Sequence, residues 1–497
     1  MGGGPASAGR DTEEWLMPTS SGHRVLATAD SAAYASVRKR PTSRGERYAM
    51  GKAMRKDVPR SSLGQWRAWP GRPDPITLLE ESHEGRVESL VPVRVARMVT
   101  SPYGFLRGSA VVMADDVARL PATGIMPVIC GDAHLGNFGF YASPEGELVI
   151  DLNDFDEAHP GCWEWDLRRL VTSIWVAGRE NGASEEQCED AVRACVAAYR
   201  DELVFLAEQP LMMRSYNRLD VHRLHETTTE KTLREEIKRS ARRARKRTSD
   251  RALPKLTEEQ DGRRRIIEDP PTVTWVDPEE GEALAAALDE YLLTLAPHWR
   301  RVVGGYTLVD IAHKVVGVGS VGLRAYVALL EGSTSDDVLF LQLKQARRSV
   351  IARYVHGDSA WHDHQGQRVV EYQQALQTAS DPLLGWATVQ GRTYYVRQFR
   401  NSKGTIPLDA IDAPALRDYA GIVGHLLAKG HARTSGASMI AGYMGHSDKV
   451  DTALSAFARR YADQTEADHT ALVEAVRHGR LPVSDGALET VGSAFRP

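Results

Sequence analysis

The chain has 497 residues, 42% of them hydrophobic and 26% charged, with a formal net charge of -4. That is the composition of a globular protein with sizeable cores, and it excludes a disordered or fibrous chain. No global basic field draws it to nucleic acid or membrane, so such a partner would need a local patch.

The opening MGGGPASAGRDTEEW has no basic-then-apolar leader, and Ala6 stands where N-myristoylation needs Ser or Thr. No apolar run reaches the roughly 18 residues of a membrane span, so the reading is a cytoplasmic protein without a membrane partner. The four cysteines, Cys130, Cys162, Cys188 and Cys195, lack CxxC spacing and suit a reducing cytosol rather than a disulfide framework. Residues 1–45, rich in Gly, Ala, Ser and charge, read as a flexible tail. From 46 to 130 the pattern is helical, punctuated by turn signals such as Trp69-Pro70-Gly71 and Ser101-Pro102-Tyr103-Gly104.

ICGDAHLGNF, residues 129–138, sets an acid, an imidazole and an amide between Gly131 and Gly136, so the polar groups fall on a tight loop. A lone Asp-x-His of this kind is more often a solvated turn than a site. Residues 147–152 follow as a short apolar strand, with 143–146 as the turn that makes a hairpin. Trp163, Leu167, Leu170, Val171 and Ile174 fall at helical spacing, and Ser184 with Gln187 forms a capping box ahead of Cys188, Val192, Cys195, Val196 and Tyr199. These apolar positions are core.

Residues 231–247 carry nine basic residues against two acids, which reads as a solvated helix and is the only candidate nucleic-acid patch. The helical region therefore spans 46–301. From 302 to 405 the texture changes to short β-branched and aromatic runs with turn residues between them, interrupted by a helical stretch at 367–377. Residues 406–480 are helical again and are expected to pack on the first helical region. Asp412 caps the helix up to Gly430, with Pro414 in its first turn, and His431 and Arg433 at its end either face the site or complement the helix terminus. Residues 481–497 form a tail.

Asp132 and Asn137 stand five positions apart, and Asp154-Phe155-Asp156-Glu157 begins seventeen residues after Asn137. In a phosphotransferase catalytic loop the first Asp accepts the acceptor hydroxyl's proton, while the Asn and a later Asp hold Mg²⁺. On this reading Asp132, His134 and Asn137 are the catalytic group, and Asn137, Asp154 and Asp156 face the metal. Asp154 is preferred over Asp151 because it precedes Phe and lies at the better distance from Asp166. A nucleotide clamp is found downstream: Gly317, Gly319, Ser320 and Gly322 fit GxGxxG, Lys344 closes a strand, and Glu371 sits on the helical stretch to pair with it.

The runs CGDAHLGNFGF, IDLNDFDEA and WEWDLRRL resemble the kinase-like superfamily that includes aminoglycoside and choline phosphotransferases. Together with SPYGFLRGSAVVMADD, TVQGRTYYVRQFRNSKG and GHARTSG they resemble, over roughly residues 45–480, the uncharacterised bacterial family called domain of unknown function 2252. The resemblance implies an α+β, protein-kinase-like (aminoglycoside-phosphotransferase-like) two-lobed fold. Because the clamp follows the catalytic loop, the fold would be circularly permuted. The implied cofactors are ATP and Mg²⁺, and the implied partner is an unidentified small-molecule or protein acceptor. Cys130 departs from the superfamily pattern, which has His before Gly-Asp. Two other readings stay open: a metal-dependent phosphohydrolase using Asp132, His134, Asp151, Asp154 and His159, and a non-catalytic nucleotide sensor.

Overall fold

The computed structural model describes residues 42–484, except 217, 261–262, 316–320, 356–361 and 435. It is a mixed α+β protein with two main hydrophobic cores, one helical and one built around a sheet.

The helical core is assembled from helices whose ends are fixed by local chemistry. Ser43 and Glu46 form a capping box on Arg44–Ala53, Asp74 caps Pro75–His83, and Ser101 caps Pro102–Gly108. Trp163–Glu180 is buried on nearly every side, whereas Glu185–Glu208 starts at the Ser184/Gln187 capping box and buries one stripe. Ala413–Arg433 lies along Glu185–Glu208 so closely that a Cβ on Gly424 would stand 2.2 Å from the carbonyl oxygen of Cys195. Lys449–Arg477 closes the bundle, with Phe457 and Tyr461 buried in it. The expected hairpin forms: Phe138–Ala142 pairs antiparallel with Leu148–Leu152, and Gly146 turns it with φ +83. All four cysteines are buried and free. Among the described residues no helix is long and apolar enough to cross a membrane.

The basic stretch is an amphipathic helix, Lys231–Ala244, that buries Leu233, Ile237, Ala241 and Ala244. Glu236 pairs with Arg239 and Arg243, so part of its charge is neutralised internally.

The second unit is a six-stranded antiparallel sheet. Its strand order is Gly385–Val389, Arg392–Gln398, Val338–Gln345, Ala325–Glu331, Thr307–Lys314 and Val273–Trp275. It therefore starts upstream of residue 302. Val273–Trp275 adds the last strand, and the helix Pro278–Thr294 covers one face through Leu284, Leu288 and Tyr291 against Tyr326, Leu330, Leu341 and Leu343. The other face packs Val327, Leu329 and Phe340 on Ala252 and Ile266. Burial on both faces explains why these strands read as near-continuous apolar runs, each fully buried Leu or Phe stabilising by roughly 1.5–3 kcal/mol. Gln365–Leu376 lies against the strands Gly385–Val389 and Arg392–Gln398, with Gly366 so close that a Cβ would meet the carbonyl oxygen of Tyr394 at 2.1 Å. Its residues Val369, Val370 and Leu376 belong to the helical core, so this helix joins the two units.

Candidate active site

The loop 130–137 is held from beneath by one helix face. Asp166, in the first turn of Trp163–Glu180, accepts hydrogen bonds from the backbone N–H groups of Cys130 at 2.6 Å and Gly131 at 2.8 Å. One turn later Arg169 reaches Asp132 Oδ1 at 2.5 Å, so positions i and i+3 grip the loop's backbone and its leading acid. Gly131 has φ +76, and a Cβ there would stand 2.2 Å from the carbonyl oxygen of Glu157. Only glycine fits.

His431 lies fully buried at the end of Ala413–Arg433, behind the Asp166 carboxylate. Its Nε2 lies 3.2 Å from Asp166 Oδ2, and its Nδ1 is 2.7 Å from the Tyr199 hydroxyl. With the phenol donating to Nδ1, Nε2–H donates to the carboxylate. His431 thus sits under the loop. Arg433 turns to the carbonyl oxygens of Ala375 and Ser215 and takes no part in it.

Asp132, Asn137, Asp154, Asp156 and Glu157 line one cavity of 470 Å³, a volume in the range of small-molecule sites. Burial pushes the Asp132 carboxyl up to about 7, with Arg169 opposing and Glu157 and Asp154 adding to the rise. Asn137 Nδ2 donates to the carbonyl oxygen of Asp132 at 2.8 Å. Its Oδ1 accepts no hydrogen bond from the described residues. The Asp154 carboxylate is 44% exposed, and together these two hard oxygens fit Mg²⁺, which keeps waters and needs few protein ligands. His134 is buried, with Nε2 3.9 Å from Asp132 Oδ2, and burial together with Arg107 and Arg169 holds its pKa well below the usual range. It packs edge-on to Tyr103 and braces the loop as a neutral ring.

Asp156 is engaged differently from the expectation. Its Oδ2 accepts from Lys344 Nζ at 2.5 Å and its Oδ1 from the Tyr395 hydroxyl at 3.0 Å, so both oxygens carry protein donors. Burial opposes ionisation, but Lys344 outweighs it and holds the carboxyl below its ordinary value. Lys344 also lies 3.9 Å from Asp154. The sheet and the acidic segment 154–157 therefore meet, 188 residues apart in sequence, through Lys344 and Asp156.

The expected Lys344–Glu371 pair is absent. Glu371 is 43% exposed and bonds His362 at 2.6 Å and Gln367 at 2.8 Å. The helix instead sends Arg368 inward, to the carbonyl oxygens of Ala158, Asp156 and Arg347. The acid that Lys344 meets comes instead from the segment 154–157, through Asp156. Glu371→Gln is accordingly expected to shift stability by less than about 0.5 kcal/mol in urea unfolding, as an exposed substitution does.

Asp151 lies outside the cavity, its oxygens accepting from the backbone of Leu152 and Thr378. His159 is likewise buried elsewhere, edge-on to Tyr372. The five ligands of the phosphohydrolase reading therefore do not line one site, and among the described residues no three His, Cys, Asp or Glu gather to hold a metal. Gly317, Gly319 and Ser320 lie outside the described residues. Gly322 has φ +87 and its carbonyl accepts from Val87 N at 2.8 Å, while Val321 O accepts from Arg86 at 2.6 Å. Leu323 borders the cavity, so the downstream end of the glycine-rich stretch is fastened at its rim.

Sequence reasoning assigned no role to Arg169, although it was in view in WEWDLRRL. It also missed the guanidinium groups that complete the cavity: Arg86, Arg94, Arg107, Arg347, Arg348 and Arg353. These are dispersed over four segments, and no spacing announces them.

The sequence model of an uncharacterised protein family conserved in bacteria, DUF2252, matches residues 86–475. The chain belongs to that family. No curated protein and no solved structure matches it.

Proposed function

We propose that this DUF2252 protein is a Mg²⁺- and ATP-dependent phosphotransferase with a circularly permuted, kinase-like pairing of a helical lobe and a nucleotide-clamping sheet. The observation that carries the reading is the convergence on one cavity of Asp132, Asn137 and Asp154, with Lys344 of the distant sheet bonded beside them. Asp132 accepts the proton of the acceptor hydroxyl, a task suited to a carboxyl whose pKa lies near 7. Asn137 and Asp154 would hold Mg²⁺. Asp156 keeps Lys344 charged and oriented at the edge of the phosphate region. When bound, the metal and nucleotide supply the phosphoryl group and neutralise its charge.

The test is calorimetric titration of a non-hydrolysable ATP analogue with and without Mg²⁺. Binding should need the metal, and Asp154→Asn should weaken it at least about tenfold, because a carboxylate between metal and protein is lost. If Asp151→Asn has that effect and Asp154→Asn has none, the metal assignment fails. If the analogue does not bind with Mg²⁺ at millimolar concentration, the phosphotransferase reading fails.

A further inference from the structure

The cavity holds more positive charge than its own acids answer. Arg94 is 2% exposed on the helix Val91–Val99 and spends its donors on the carbonyl oxygen of Gly108 at 2.5 Å and on His83 Nε2 at 2.8 Å. Its Nε is buried with no hydrogen-bond partner, and so is that of Arg107. Arg86 bonds the carbonyl oxygens of Ser82 and Val321, and Arg347 bonds that of Ser82. Among the described residues no ion pair joins any of these four to a carboxylate. Arg86 and Arg347 lie close enough to repel Arg94, and burial with Arg94 and Arg86 drives the His83 ring down to about 4, so that it accepts rather than adds charge. Asp156 and Glu157 lie near enough to favour the charged form of Arg86, but the hydrogen bonds of the cavity acids go to other groups: Asp132 to Arg169, Asp156 to Lys344 and Glu157 to the backbone N–H of Val350 at 2.7 Å, with Glu81 exposed at the rim.

A buried guanidinium met only by carbonyl dipoles and a neutral ring is costly, and a phosphate or carboxylate in the cavity beside it would offset that cost. We infer that Arg86, Arg94, Arg107 and Arg347 form an anion pocket that receives a phosphate-type group on the acceptor, making the substrate a phosphorylated hydroxyl compound rather than a cation. This rests on the phosphotransferase reading for the word acceptor, while the pocket itself does not. The nucleotide's phosphates fall to a separate set of cations: Lys344, with Arg397 and Lys403 near enough to feel Asp154. A phosphate at the arginines and a hydroxyl beside Asp132 then span the same cavity, which orients the acceptor for transfer.

The experiment is calorimetric titration of the full chain with inorganic phosphate in EDTA, without nucleotide. Phosphate should bind saturably, Arg107→Gln and Arg94→Gln should each weaken it at least about tenfold, and Glu371→Gln, outside the cavity, should leave it intact. Arg107 makes no hydrogen bond among the described residues, so that variant keeps the test decisive if Arg94→Gln fails to fold. The Mg²⁺–ATP analogue should bind Arg107→Gln within about twofold of the parent, and choline should not compete with phosphate. No saturable phosphate binding, or binding unchanged in Arg107→Gln, overturns the pocket. Loss of the ATP analogue in parallel with phosphate overturns the assignment to the acceptor and gives the arginines to the nucleotide. Phosphate binding without any Mg²⁺–nucleotide binding in the parent strikes the phosphotransferase reading and leaves the pocket supported.

Discussion

Asp132→Asn is expected to cut phosphoryl transfer by roughly 10²–10⁴-fold while the protein becomes more stable at neutral pH. The loss follows from removing the only cavity carboxylate held by Arg169 within the catalytic loop, since a positioned general base contributes on that order. The gain in stability follows from burial. An acid whose folded pKa is about 7 holds its proton more tightly in the native state than in the unfolded chain. Its favourable contribution is complete below about pH 4 and is lost as pH rises through about 7, because the unfolded carboxyl ionises first. Asparagine has no such dependence. The melting temperature of the variant relative to the parent should therefore climb between pH 4 and 7 and level off above. In the parent, kcat/KM should rise through the same window as the base deprotonates. A variant with unchanged turnover would remove Asp132 from the chemistry. One with a pH-independent difference in melting temperature would mean that the carboxyl is ionised throughout.

The local parts of this site were legible because they are written in consecutive residues. The Asp132–Asn137 step and the hairpin behind it depend on turn glycines and strand length, which act over a few positions, and Asp154, singled out because it precedes Phe155, lines the cavity whereas Asp151 does not. The partner of Lys344 was not legible. Residues 368 and 371 lie one helical turn apart on Gln365–Leu376, so periodicity brings both toward one side and does not choose between them. The choice was made by Asp156, which comes from the other unit and already neutralises the lysine. A sequence pattern borrowed from two-lobed kinases asks for a Glu on that helix. Here the acid that meets Lys344 lies in the segment 154–157, and the helix turns an arginine toward backbone carbonyls.

The sheet's upstream boundary failed to register for a related reason. Val273–Trp275 is three residues long, too short for alternation to be read, and Pro278–Thr294 looks like any amphipathic helix until the sheet it covers is known. His431 is the clearest case. At the end of a long helix it reads equally well as a basic residue complementing the helix terminus, and nothing local relates it to Cys130. The tie is tertiary, through Asp166.

That tie carries the largest expected effect on stability. Asp166 is 1% exposed and accepts from two backbone N–H groups and from the His431 ring, so Asp166→Ala leaves three buried donors without an acceptor. Each orphaned donor costs about 1–3 kcal/mol, and the summed loss should reach at least about 3 kcal/mol in urea unfolding. Asp166→Asn should recover little, because one of its two positions becomes an NH₂ that faces N–H donors. His431→Phe separates the contributions: it keeps both loop bonds to Asp166 and removes only the imidazole, so its cost should be smaller than that of Asp166→Ala. If the two losses were equal, the loop would be held mainly by the ring and its packing on Tyr199, and the carboxylate would be secondary. If Asp166→Ala cost less than about 1 kcal/mol, the loop that carries Asp132 and Asn137 would owe its shape to Gly131 and the hairpin alone. The carboxylate's charge strengthens both backbone bonds, and no other described side-chain acceptor reaches those two N–H groups, which is why the larger loss is expected.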